Sequence, residues 1–176
     1  MFNEETAKFG RLGEVIYRDK IKENPDCRHI EDVAKKNLTY DFMVSRYYSD
    51  IDTVVDLKVD VKRTSTWLTN YLVVFPRQLE KTEAIMYVFI CTGVSLSKEE
   101  EALDEYLEVP VCALRRYVSE NNCKQSKYHE DAVMIPYSEL KKYCRRNGIL
   151  WYGLKHFRSV EDEYTWSEED KEWYRG

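Results

Sequence analysis

The chain has no Cys-x-x-Cys pair among its five cysteines, Cys27, Cys91, Cys112, Cys123 and Cys144. An odd count at those spacings suggests neither a disulfide framework nor a zinc knuckle, so reduced thiols, several of them buried, are expected. Histidine is scarce as well, and His29, His129 and His156 share no metal-ligand spacing. No uninterrupted apolar run approaches the ~20 residues of a membrane span. The start, Met1-Phe2-Asn3-Glu4-Glu5, lacks the charged-then-apolar layout of a signal peptide. A cytoplasmic protein without a membrane partner is the expectation. There is also no internal repeat, low-complexity tract or Pro/Gly linker. The 176 residues, 43% hydrophobic and 34% charged, therefore suit one globular domain with a real core.

What charge there is lies unevenly. Residues 159–176 hold seven acids (Glu161, Asp162, Glu163, Glu168, Glu169, Asp170, Glu172) against Lys171 and Arg175, so this segment carries the whole net charge of -5. It is set apart as an acidic, aromatic C-terminal extension to a domain spanning 1–158. Its Tyr164, Trp166, Trp173 and Tyr174 suit a helix packed on the core. They equally suit a segment that docks a basic protein partner or folds over the chain's own cations. Just before it, Lys141, Lys142, Arg145, Arg146, Lys155 and Arg158 form a stretch without an acid. That stretch offers a surface to phosphates, or simply the solvated last turns of a helix, where cations suit the dipole.

Asn3, Glu4 and Glu5 open a helix that runs to about Ile21, before Asn24-Pro25. Phe9, Leu12 and Ile16 form its apolar stripe. Gly10 and Gly13 each cost a helix roughly 1 kcal/mol relative to alanine, and close approach to another element is a reason to keep them. Strands are expected at Tyr40–Arg46, Thr53–Thr64, Tyr71–Phe75 and Ile85–Thr92. The last is apolar on both faces, as a central strand is. Ser97 with Glu100 resembles a capping box for a helix to about Tyr106, blocked by Pro110. Short elements are expected at Leu114–Ser119 and Ala132–Ile135, and a final helix at Glu139–Arg146. This order implies an α/β fold, a mixed central sheet flanked by helices.

The chemistry concentrates in Val59-Asp60-Val61-Lys62. In a strand, Val59 and Val61 face one side while Asp60 and Lys62 project together from the other. If residues 49–52 form a four-residue loop, Tyr48 pairs with Thr53 and Asp41 falls opposite Asp60. Directly opposed residues share a face at ~4.5–5.5 Å between Cβ atoms. Two carboxylates that close repel unless a cation lies between them, and Mg²⁺ or Mn²⁺, with oxygen ligands and retained waters, suits the pair. Lys62 is placed to steady negative charge growing on a phosphate, and Glu14 on the first helix to add an oxygen ligand or orient water. The chemistry implied is metal-assisted phosphodiester hydrolysis. Equally, Asp56, Lys58, Asp60 and Lys62 alternate in sign, as along a solvated face laced by weak ion pairs.

Gly13-Glu14, Asn37-Leu38-Thr39-Tyr40-Asp41-Phe42 and Val59-Asp60-Val61-Lys62-Arg63-Thr64 resemble the motifs of the PD-(D/E)xK, or restriction-endonuclease-like, nuclease superfamily. The segments Ala84–Phe89 and Met134–Leu140 are similar to its framework. The resemblance implies a restriction-endonuclease-like core, with Glu14 as the helix acid, Asp41 and Asp60 as metal ligands and Lys62 as the catalytic lysine. It further implies a Mg²⁺-dependent nuclease acting on nucleic acid, DNA first, of the kind small members from phages and mobile elements exemplify. Tyr40 stands where the motif has its proline, and Asp60 where glutamate is more frequent. Asp50-Ile51-Asp52-Thr53-Val54-Val55 also resembles the aspartate-led strand, which would make Asp52 the first ligand. That register needs a turn at Asp56 with poor turn chemistry, so Asp41 is preferred.

Two other classes compete. A catalytically silent nuclease-like fold would serve as a protein- or nucleic-acid-binding module, and a purely structural protein would scatter Glu14, Asp41 and Asp60 over separate surfaces. Trp67 is the aromatic expected nearest a substrate, and a homodimer is the natural way to cut both strands of a duplex.

Overall fold

The computed structural model describes residues 4–36, 38–65, 71–94, 103–126, 130–147, 151–153 and 163–176. Trp67, the Ser97 helix start, His129, Lys155, His156 and Arg158 lie outside the described residues.

The first helix, α1 (Glu4–Lys22), has Glu4 and Glu5 in its first turn and Lys20 and Lys22 in its last, each sign complementing the helix dipole. Leu12, Val15, Ile16, Tyr17 and Ile21 are buried along it, the i, i+3, i+4 spacing of a face that packs on a sheet. Four strands follow: β1 (Cys27–Asp32), β2 (Phe42–Tyr48), β3 (Thr53–Ser65) and β4 (Tyr71–Val74). The short helix α2 (Pro76–Lys81) leads to β5 (Met86–Val94) and β6 (Leu103–Pro110). Next come α3 (Val111–Glu120), β7 (Lys124–Gln125), β8 (Val133–Pro136), α4 (Tyr137–Arg146) and β9 (Trp151–Gly153). The described chain ends in β10 (Tyr164–Ser167) and β11 (Glu172–Arg175).

Six strands form the central sheet in the order β1-β2-β3-β5-β6-β9. The β3–β5 pair is parallel and the other pairs are antiparallel, so the sheet is mixed. A second sheet, β4-β8-β7, and the β10–β11 hairpin are separate. Side chains of β5 divide between two cores. Val88 and Ile90 join α1 with Phe42, Val44, Leu57, Val59 and Val61, while Tyr87 and Phe89 join a cluster built from β4, α2, β6, α3, β8 and α4. The fold is thus an α/β arrangement, a mixed central sheet flanked by helices. Cys27, Cys112, Cys123 and Cys144 are free thiols, with Cys144 buried, and among the described residues no helix is long and apolar enough to cross a membrane.

Two expectations need correction. Leu103–Tyr106 belongs to β6 and is not the end of a helix, because Tyr106 and Glu105 pair with Ile90 and Cys91 of β5. A central strand with an open edge recruits that segment over its local preference. Pro110 then starts α3 at its N-cap position, where its missing N–H is harmless. The C-terminal extension is a β-hairpin, and not a helix. Trp166 pairs with Trp173 across it, ring centroids 5.3 Å apart and edge to face, a favourable aromatic geometry.

Only one of the two α1 glycines is there for close approach. A Cβ on Gly13 would sit 3.0 Å from Arg63 Cβ and 3.1 Å from its Cδ, whereas one on Gly10 would meet nothing within 4 Å. Gly10→Ala is therefore expected to stabilise by roughly 0.5–1 kcal/mol through helix propensity. Gly13→Ala should lose that gain and destabilise, because α1 must lift from β3. Urea unfolding of the two variants reads the difference in sign.

Candidate functional site

The hairpin register runs from Tyr48 opposite Thr53 to Phe42 opposite Val59, the pairing expected of a four-residue loop. Asp41 lies immediately before the first residue of β2, level with Asp60. There the main-chain ladder gives way to a side-chain bond. The Asp41 N–H donates to the Val59 carbonyl at 2.9 Å, and Asp41 Oδ2 accepts from the Val61 N–H at 2.8 Å. Asp41 is thereby clamped to β3, with its carboxyl within hydrogen-bonding reach of the Asp60 carboxyl.

Asp60 is 8% exposed, and Lys62 Nζ stands 3.3 Å from Asp60 Oδ2. The Lys62 ammonium also lies 5.7 Å from the centroid of the Tyr87 ring, a cation–π placement. Parallel pairing sets Tyr87 beside Asp60, and burial with the Asp60 charge pushes the Tyr87 phenol up to about 12. These groups line a cleft of about 480 Å³ with Thr39, Tyr40 and the α2 residues Arg77, Gln78 and Lys81. The cleft floor is fastened on one side by Thr82, whose hydroxyl donates to the Thr39 carbonyl at 3.1 Å. The Thr39 hydroxyl in turn accepts from Glu83 N–H at 2.9 Å.

Burial, the bond to Asp60 and the repulsion of its charge push Asp41 up to about 7, against the opposing pull of the Val61 N–H and Lys62. Glu14 is also pushed up to about 7, by burial and then by the Asp41 charge. The two groups therefore sense each other. Glu14 is nevertheless committed elsewhere, for Arg11 Nη1 donates to Glu14 Oε1 at 3.1 Å. Arg11 also binds Asp32 at 2.6 Å and, from the C-terminal hairpin, Glu172 at 2.7 Å. Against their burial, this guanidinium holds Asp32 and Glu172 below the usual carboxylate range.

Of the residues singled out in the sequence, Asp41, Asp60 and Lys62 share one cleft, and Glu14 stands behind it with Arg11. Asp52 does not come to the pair. It sits in the β2–β3 turn with φ +47°, accepting the Tyr47 hydroxyl at 2.6 Å. Among the described residues no three His, Cys, Asp or Glu side chains converge to hold a metal ion. Two adjacent hard-oxygen donors still fit Mg²⁺, which binds through one or two carboxylates and completes its shell with waters and substrate phosphates. Their buried mutual repulsion is the observation that argues for a cation between them.

Sequence reasoning missed Arg11, Glu172 and the α2 cations. The i, i+3 spacing of Arg11 and Glu14 was a legible signal, and Pro76 followed by Arg77 and Lys81 marks a short helix with two cations a turn apart. Nothing local pointed Glu172 at Arg11.

No protein-family model matches this chain, and no curated protein does. Among solved structures, the chain is similar to D212, a nuclease from a fusselovirus, at 15% identity with a TM-score of 0.41, over 89% of each chain.

The raised Asp41 gives a pH signature in metal-free buffer. Its folded pKa lies above the unfolded value, so its contribution to stability is fully present below about pH 4 and is lost as pH rises through about 7. Asp41→Asn keeps an oxygen for Val61 and removes the charge. Its Tm should therefore exceed that of the wild type by several degrees at pH 8, at about 2–4 °C per kcal/mol for this length, and the gap should narrow steadily below pH 7 and close at about pH 4. Thermal melts in EDTA across that range check it.

The hairpin clamp gives a second prediction. Glu172→Gln leaves Arg11 with two carboxylates in place of three, and Arg11→Ala strands Glu14, Asp32 and Glu172 together. The expected loss is roughly 1 kcal/mol for the first and 3 or more for the second, read by urea unfolding.

Proposed function

We propose that this protein is a Mg²⁺- or Mn²⁺-dependent nuclease of the PD-(D/E)xK type that hydrolyses phosphodiester bonds of nucleic acid, with DNA as the first candidate substrate. The observation that carries this reading is the Asp41–Asp60 pair. Two carboxyls lie within hydrogen-bonding reach at a strand end, one of them 3.3 Å from the Lys62 ammonium, in an open cleft.

Asp41 and Asp60 would hold the cation between them. When bound, the cation supplies a Lewis acid at the scissile phosphodiester. The remaining work falls to side chains of this chain. Lys62, 37% exposed and steadied by Asp60 and the Tyr87 ring, presents its ammonium toward the cleft, where it stabilises negative charge growing on the phosphate oxygens. The Val61 N–H fixes Asp41 so that only one of its oxygens is free to turn into the cleft. Glu14 contributes at a distance, as the charge that Asp41 senses, with Arg11 setting how much of that charge is felt. Attack by water on phosphorus needs no covalent nucleophile from the protein.

A second reading, a silent nuclease-like fold used as a binding module, draws on Glu14. Arg11 holds that side chain, and no third carboxylate joins the pair among the described residues. Cleavage assays on supercoiled DNA, single-stranded DNA and RNA, in Mg²⁺, Mn²⁺ and EDTA, separate the two. The nuclease reading expects metal-dependent cutting of at least one substrate, reduced at least 100-fold in Asp60→Ala and in Lys62→Ala. Absence of cutting on every substrate, or cutting undiminished in both variants, contradicts it.

A further inference from the structure

The α2 helix presents charge of one sign to the cleft. Its buried residue is Leu79, and Glu80 faces the opposite side, lining a shallow depression with Arg115 and Arg116 of α3. Arg77 and Lys81 line the Asp41–Asp60 cleft, are exposed, and have no ion-pair or hydrogen-bond partner among the described residues. Being four residues apart, they sit on one face of the helix, about 6 Å along its axis. Like charges a turn apart destabilise a helix, and a helix of this length has little stability of its own to offset them.

The helix is instead held from outside. Arg115 Nε donates to the Leu79 carbonyl at 2.9 Å, and its Nη2 to the Glu80 carbonyl at 3.3 Å. At the helix end, Thr82 N–H caps the Gln78 carbonyl at 2.9 Å. The Thr82 hydroxyl bonds both the Thr39 carbonyl and the Ala84 N–H, at 3.1 and 3.0 Å. Thr82 also lines the cleft beside Tyr87, the residue that pairs with Asp60. The two cations are therefore fixed relative to the carboxylate pair, with their charged ends left for something outside the protein.

We infer that Arg77 and Lys81 bind successive phosphates of the nucleic-acid strand that enters the Asp41–Asp60 cleft. This inference rests on the nuclease reading for the identity of the ligand. The axial step between the two side chains is close to the spacing of neighbouring phosphates along a strand. Arg77 offers a fork suited to phosphate oxygens and Lys81 a point charge. The contacts carry no base information, so they position the strand without selecting a sequence. The ligand class is a phosphodiester backbone, single- or double-stranded.

The test is binding of a fluorescent 20-mer, as single strand and as duplex, to the full chain in EDTA between about 50 and 200 mM salt, the range over which phosphate contacts dominate affinity. Each neutralisation, Arg77→Gln or Lys81→Gln, should lower the slope of log K against log salt by about 0.7 for single strands or 0.9 for duplex, and the double variant by about twice that. Arg77→Lys should keep the slope, and Lys124→Gln, which does not line the cleft, should leave it unchanged. A double variant with the wild-type slope overturns the inference even if the protein cuts nucleic acid. Slopes that fall as expected in a protein that cuts nothing support the α2 contacts and defeat the nuclease reading. A wild type that binds neither strand form overturns the inference, and the cleavage assays then decide the nuclease reading by themselves.

Discussion

The register of the β2–β3 hairpin, from Tyr48 opposite Thr53 to Phe42 opposite Val59, fixes where the side chains of β3 from Thr53 to Arg63 point. Leu57, Val59 and Val61 fall on the face that α1 covers. Asp60 and Lys62 fall on the other, beside Tyr87 and facing α2. A slip of one residue would exchange these sets, burying an aspartate and a lysine beneath α1 and turning two valines and a leucine away from it. The apolar packing of α1 and the placement of the charged pair are thus one constraint. The protein cannot bury the apolar face of α1 on its sheet without also setting Asp41 level with Asp60.

That constraint leaves two carboxyl groups together in a poorly solvated place. The rest of the site tempers the consequence without removing it. Val61 donates to Asp41, Lys62 pairs with Asp60, and Arg11 draws Glu14 away. The C-terminal hairpin enters this arrangement through Glu172, which shares Arg11 with Glu14 and Asp32. It is anchored further by Trp173 Nε1, which donates to the Lys8 carbonyl at 3.0 Å, and by the Tyr164 hydroxyl, which donates to Asp19 at 2.6 Å. The acidic extension thus meets cations of α1, and its Tyr164 is part of the core under that helix.

How much of this was legible follows from how local each determinant is. The loop of four residues at 49–52 was enough to set the hairpin register, and with it the Asp41–Asp60 juxtaposition, while the two-sided β5 was legible from its unbroken apolar run. The stripe of α1 was legible from 3.6-residue spacing. Leu103–Tyr106 was misread because a strong helix-start pattern at Ser97 outweighed the alternation of Leu107, Glu108 and Val109, whose meaning depends on pairing with β5. The C-terminal hairpin was misread because its acids and aromatics suit a helix face as well as a strand. The signal was the i, i+2 step of Tyr164 and Trp166, and the turn at Lys171, which has φ +51°. The Arg11 hub joins residues up to 161 positions apart, a distance over which a single sequence carries no pairing information. Asp52 and Asp41 were separated by turn chemistry alone, which placed Asp52 in the turn.

The central claim is that the Asp41–Asp60 pair is the seat of a divalent cation. A calorimetric titration of the nucleic-acid-free protein with Mn²⁺ at pH 8 tests it most directly, alongside Asp41→Asn and Asp60→Asn. One saturable site in the wild type, weakened at least tenfold in each variant and weakened again in the wild type at pH 5.5 as Asp41 takes up its proton, is the result this account predicts. No saturable binding in the wild type, or binding that both variants retain, would contradict it.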